Sequence, residues 1–286
     1  MKELHSAQVT IVGLGLMGGS LAGALREQCQ SIAGLDRRPE VVKKALARGL
    51  LDRGTTDLEA AVSHADIVVL ATPVRVILGL LETIGPLLPT GCLLMDLGST
   101  KREIAAKMTQ LPSHVQPLGG HPMCGKERSG IEAADPDLYR GRTFILSPLP
   151  RTSPQALSLG STLARAVGSI PLVLEPGRQD FLAGTVSHLP YLLACALVST
   201  ADATTSKDPA VWEIVAGGFR DTSRVSAGDV TMWLDILLTN REEVLEAIAV
   251  YQKELSGLAH LIASEDEAGL QVVLGSIRAK RLEMFP

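Results

Sequence analysis

Aromatic residues make up only 3% of the 286 residues, and 27 basic side chains are outnumbered by 31 acidic ones, for a net charge of −4. Nucleic-acid grooves need a basic stripe interleaved with aromatic platforms, so the composition argues against that partner class. Cysteine is scarce: Cys29, Cys92, Cys124 and Cys195 stand apart without CxxC spacing, which points to reduced thiols rather than a disulfide framework or a zinc site. Cys124, three residues after His121, reads as a small buried side chain rather than a nucleophile. Residues 1–8 lack a charged segment followed by an apolar core and a cleavage site, so no signal peptide is expected, and a cytoplasmic location is. The longest apolar run, residues 189–198, is too short to span a bilayer and follows His188; it reads as a buried helix with no membrane role. Neither internal repeats nor a low-complexity linker are present.

What is there is a chain long enough for two domains and, at 46% hydrophobic, rich enough for a core in each. Its first half alternates short β-branched runs (9–12, 31–35, 67–71, 92–96, 115–118, 144–147, 170–174) with amphipathic stretches (20–26, 40–48, 74–88, 101–109, 155–167). Pro39 and Pro154 stand where helices begin. That alternation predicts a Rossmann-type doubly wound, mostly parallel α/β sheet over residues 1–175. From residue 176 strands give way to long helical periods over 178–203, 229–238, 241–263 and 266–282, an all-helical second domain. Pro190 removes a backbone donor inside the first of these and predicts a bend just after His188. No sensor domain is expected after the last helix, and the apolar helical half is expected to form a homodimer.

After the first predicted strand come Gly13-Leu14-Gly15-Leu16-Met17-Gly18, then a helix, then Asp36 at the end of the second strand. In that setting the glycines serve a tight turn, backbone approach to a pyrophosphate and close helix–strand packing, which predicts a dinucleotide site. Asp36 on the adenosine ribose favours NAD; Arg37 and Arg38 beside it leave NADP open, or are simply solvated. Thr72-Pro73 and Ser99 follow the third and fourth predicted strands, at the sheet edge where ligands bind in this fold. Ser99 lines the pocket, caps the helix starting near Lys101, or does both.

Residues 119–130, GGHPMCGKERSG, hold a histidine between glycine pairs. Pro122 disfavours a helical backbone at His121, which predicts an imidazole projecting from an extended turn, with the glycines leaving room for a ligand. Together with 13–18, DLGSTK at 96–101, SHLP at 187–190 and GGFRDTSR at 217–224, this segment resembles the prephenate/arogenate dehydrogenase family over nearly the whole chain. The resemblance implies a Rossmann domain with a helical dimerisation domain, and oxidative decarboxylation of prephenate, or alternatively of arogenate, with hydride transfer to NAD(P) on the route to tyrosine. It implies His121 as base for the 4-hydroxyl, Ser99 as a contact to that hydroxyl and the cofactor, and Arg224 as the fork on the ring carboxylate. His188 holds substrate from the helical half or is a satisfied core histidine. Arg220, one helical turn before Arg224, shares the substrate or pairs with an acid such as Asp221. Glu127 gates the pocket, faces the amino group of arogenate, or pairs with Lys126 or Arg128. More distant readings are a β-hydroxyacid-type dehydrogenase, whose lysine base is missing from 178–203, and a non-catalytic NAD(H) sensor.

Overall fold

The computed structural model describes residues 1–126 and 128–285. Strands β1 (Gln8–Val12), β2 (Ser31–Leu35), β3 (Arg53–Thr55), β4 (Ile67–Leu70), β5 (Leu93–Asp96), β6 (Gln116–Pro122), β7 (Thr143–Ser147) and β8 (Ile170–Val173) form one sheet in the order β3-β2-β1-β4-β5-β6-β7-β8. All neighbours are parallel except β6 and β7, which run antiparallel. Helices α1 (Leu16–Ala24), α2 (Pro39–Ala47), α3 (Leu58–Val62), α4 (Val74–Leu80), α5 (Arg102–Met108) and α6 (Pro154–Ala166) cover it. Strand side chains alternate between two cores: Val9, Ile11 and Met95 with Leu21 and Leu163 on one face, and Val12, Val68 and Leu94 with Ile77 and Met108 on the other.

Beyond β8 the chain is helical: α7 (Pro176–Ala183), a π-helical turn (Gly184–His188), α8 (Leu189–Thr204), α9 (Gly217–Ser223), α10 (Val230–Thr239), α11 (Arg241–Ala263) and α12 (Glu267–Met284). The run from Pro176 to Thr204 is one helix long and apolar enough to cross a membrane, at mean hydropathy 1.7, which its 189–198 core alone does not reveal. Its polar side chains Gln179, Asp180 and His188 are nonetheless buried against the rest of the protein. The backbone departure expected from Pro190 takes the form of the π turn that ends at His188.

Several expectations change. The three-residue edge strand β3 carries no apolar signal and escapes periodicity. The helix expected over 74–88 stops at Leu80, and a 3₁₀ turn Gly85–Leu87 follows. α1 begins inside the glycine motif, four residues earlier than periodicity suggests. Most telling, His121 lies on no turn. β6 runs through Gly119, Gly120 and His121, pairing with β5 over its first half and with β7 over its second, where His121 faces Ile145. Of the flanking glycines, Gly125 stands in open space, but Gly119 and Gly120 do not leave ligand space. A Cβ on Gly120 would come within 2.5 Å of the Asp96 carbonyl oxygen, and one on Gly119 within 3.1 Å of Lys101 and Ser147. They let β6 close onto its neighbours.

Candidate active site

At the carboxyl end of β1, Gly13 adopts φ +96°, and a Cβ there would fall 2.6 Å from Thr72 Cγ2. A Cβ on Gly18 would lie 1.8 Å from the Gly13 carbonyl oxygen, so both glycines are demanded by the fold itself. Around Gly15, by contrast, nothing lies within 4 Å of a built Cβ, which leaves the start of α1 open to a diphosphate. Leu14 is buried under the loop and Leu16 packs against the same core, while the Met17 carbonyl accepts a hydrogen bond from Tyr139 at 2.7 Å. Asp36 is anchored: Oδ2 accepts from the Leu14 N–H at 3.1 Å and Oδ1 from the Arg38 N–H at 3.0 Å and Nε at 3.3 Å. Arg37 is exposed. Across the crevice Pro73 precedes α4, and Thr72 Oγ1 is buried with no partner among the described residues, a polar group left for a ligand to satisfy. These residues fit a dinucleotide.

The next strands bring the reactive groups together. Asp96 and Lys101 are fully buried and form an ion pair. Asp96 also accepts from the Gly98 N–H at 2.8 Å and the Gly120 N–H at 3.3 Å, which ties the loop after β5 to the residue before His121. Burial pushes the Asp96 carboxyl above its usual range, against the ammonium and the two N–H groups that favour the carboxylate. His121 is buried, with Nδ1 unpartnered among the described residues. Burial first, then the Lys101 ammonium and His188, hold its titration well below the ordinary 6.5, so the ring is a neutral imidazole. Lys101 was hidden within the DLGSTK motif; its only sequence signal was a cation five residues after an acid at the sheet edge.

Ser99 is half-buried in this loop but does not cap α5. The capping acceptor comes from α7 instead, where Asp180 takes the N–H groups of Lys101 at 2.6 Å and Arg102 at 2.8 Å. Its neighbour Gln179 donates to the Ser99 carbonyl at 3.2 Å and keeps its own Oε1 buried and unpartnered. Neither Gln179 nor Asp180 was legible as a site residue, because each acts on a loop some 80 positions away.

His188, at the end of the π turn, is completely buried; burial pushes its titration down to about 4. Nδ1 faces the Asn240 amide at 3.1 Å, and Nε2 has no partner. The ring stands edge-on to Trp233, which stacks on Tyr191 at 3.8 Å between centroids. Arg220 is exposed on α9, and Arg224 opens the 3₁₀ turn Arg224–Ala227 that continues it, packed against α8. Glu127 lies outside the described residues.

The glycine loop after β1 and the Asp96–Lys101 pair after β5 thus lie at the same carboxyl edge of the sheet, with the buried neutral imidazoles of His121 and His188 near that pair, a setting for proton and hydride transfer. Known proteins share the sequence and the fold. Residues 21–169 match the family model described as prephenate dehydrogenase, nucleotide-binding domain, and residues 175–276 the model described as prephenate dehydrogenase, dimerization domain. The chain is 35% identical to the prephenate dehydrogenase of Lactococcus lactis over 92% of its own length and 73% of that protein. It superposes on the crystal structure of Aquifex aeolicus prephenate dehydrogenase in complex with hydroxyphenyl propionate and NAD+ at TM-score 0.92 and 35% identity, covering 99% of this chain and 100% of that one. Against Synechocystis arogenate dehydrogenase the TM-score is 0.84 at 30% identity, over 97% and 99% of the two chains. With both halves matched in order and the whole fold superposed, the chain belongs to the prephenate dehydrogenase family.

Proposed function

We propose that this chain oxidatively decarboxylates prephenate to 4-hydroxyphenylpyruvate, with hydride transfer to NAD+, in tyrosine biosynthesis. The observation that carries the reading is His121, a buried neutral imidazole beside the Asp96–Lys101 pair, on a sheet whose carboxyl edge bears the nucleotide fingerprint. The open start of α1 at Gly15 and the anchored Asp36 would hold NAD+, which would supply the hydride acceptor. A ring nitrogen of His121 takes the 4-hydroxyl proton, since burial first and then the ammonium of Lys101 keep the imidazole unprotonated until substrate arrives. Ser99 orients that hydroxyl against the cofactor, and Thr72 gives its free hydroxyl to the nicotinamide side of the crevice. Arg224 grips the ring carboxylate through a planar fork, with Arg220 as the alternative cation. Loss of that carboxylate as CO₂ is drawn forward by aromatisation of the ring. His188 holds the substrate side chain from the helical half.

The anchored Asp36 supports NAD+ over NADP+. Its carboxylate is held by the Leu14 and Arg38 N–H groups, so it stays where a 2′-phosphate would meet a negative charge, and the Arg38 side chain is tied to the same carboxylate. Residues 1–175 form the dinucleotide-binding domain and residues 176–286 the substrate and dimerisation domain of a cytoplasmic homodimer. Helix α12 supports the dimer: it is 18 residues long and buries no residue in the single chain, while Val272, Leu274 and Ile277 are more than half exposed.

The test is NADH or NADPH production by the purified protein with prephenate and with arogenate, each with either oxidised cofactor. The highest kcat/KM is expected for prephenate with NAD+. No turnover in any of the four combinations, with cofactor binding intact, would sink the reading.

A further inference from the structure

Asn240 joins α10 to α11, a position where asparagine ordinarily turns its side-chain oxygen onto the first backbone N–H groups of the following helix. Here it makes no such bond. Its side chain is buried, and Nδ2 lies 2.8 Å from the Asp180 carbonyl oxygen and 3.1 Å from His188 Nδ1. A carbonyl oxygen only accepts, so the Asn240 atom facing it is the amide nitrogen, with one hydrogen for Asp180 and the other for His188. His188 Nδ1 must therefore accept. In a neutral imidazole whose Nδ1 accepts, the proton sits on Nε2, and Nε2 is the buried ring atom with no partner among the described residues.

We propose that Asn240 is a positioning residue that locks His188 as its Nε2–H tautomer, so that His188 meets the substrate as a hydrogen-bond donor to an oxygen acceptor. This rests on the reading above that the pocket binds prephenate; the acceptor is then a keto or carboxylate oxygen of the side chain rather than the hydroxyl that loses its proton to His121. The two imidazoles thereby take opposite roles, one accepting and one donating. The Asp180 carbonyl that shares the Asn240 amide belongs to the residue whose carboxylate caps α5, so the donor is held in register with the Ser99 loop.

Long-range ¹H–¹⁵N correlation spectra of the ¹⁵N-histidine-labelled enzyme with NAD+ bound read the tautomer directly, with His188 assigned from the spectrum of His188→Ala. The expected result is a protonated Nε2 and a bare Nδ1; an Nδ1–H ring in the wild-type enzyme overturns the proposal whether or not prephenate is turned over. Asn240→Asp replaces the donor with an acceptor, and should move the proton to Nδ1 and raise the KM for prephenate by about tenfold or more while NAD+ affinity is kept. In the His188→Ala background the same substitution should leave KM unchanged within about twofold. A full additional rise in that background shows that Asn240 acts independently of His188 and overturns the proposal. Should Asn240→Asp fail to fold, the wild-type spectrum alone decides. Failure of the prephenate reading would appear instead as absent turnover with the Nε2–H signal in place.

Discussion

At the scale of single residues, the side chains resolve into acceptors, donors and cations whose states follow from burial. His121→Asn removes the base while preserving much of its shape, and should lower kcat for prephenate by about 10²-fold or more with little change in NAD+ affinity. Steady-state kinetics beside a cofactor titration check this, and near-normal turnover would remove His121 from the chemistry. Because burial and Lys101 hold its titration well below 6.5, the acid limb of kcat/KM due to His121 should fall below that value, with full activity kept as pH drops through 6.5. An acid limb centred at or above 6.5 and abolished by His121→Asn would contradict the neutral-ring account. Arg224→Lys replaces a planar fork with a point charge and should raise KM more than about tenfold with a smaller effect on kcat. An unchanged KM would shift the carboxylate contact to Arg220. His121, Arg224 and the glycine motif stand out as candidates because their motifs lie contiguous in the chain. Asp180 and Asn240 do not, since their partners are brought in by folding from elsewhere, and the Lys101 pairing with Asp96 shows only once both side chains are buried.

At the scale of elements, the two short helices behind the site borrow their caps from the helical half. α4 follows Pro73 and α5 follows Lys101, and neither preceding residue offers a capping side chain. Asp235 on α10 accepts from the Arg75 N–H at 3.0 Å, and Asp180 on α7 accepts from Lys101 and Arg102. Each carboxylate thus satisfies orphan donors on the other half of the molecule, and a bond of 2.8 Å between Thr100 and Thr239 adds to the seam. Asp180→Ala should cost about 1–3 kcal/mol in chemical denaturation and, by loosening the Lys101 segment, should also lower kcat. Lost stability with undiminished kcat would confine Asp180 to a structural role. Sequence periodicity found most of the long elements within a few residues, because burial repeats along them, but it overran α4 and gave no sign of α3. It missed β3 and misread the end of β6, because three residues carry no period and a Gly-Gly-His-Pro string looks like a turn until β7 pairs with it.

At the scale of the whole molecule, acid should weaken the fold as well as the active site. Unfolded histidine titrates near 6.5, whereas His188 in the fold resists protonation until about 4 and His121 is displaced the same way. Stability is therefore complete above about 6.5 and is lost as pH falls toward 4, His188 alone accounting for about 3 kcal/mol. Urea midpoints measured across that interval should decline, and His188→Gln should flatten the decline; a midpoint independent of pH would refute the assignment. The dimer makes a separate prediction. Val272 is 73% exposed in the single chain, so Val272→Asp should be nearly neutral for a monomer but should split a dimer that buries α12, as sedimentation velocity would reveal. The order of elements, the nucleotide crevice and the family were already written in the chain, since β-branched runs, glycines in a strand–turn–helix setting and contiguous motifs are local properties. The neutral state of His121, the tautomer of His188 and the caps of α4 and α5 were decided only by tertiary structure. Burial and the approach of distant polar groups set proton positions, and neither exists until the two halves of the chain have packed together.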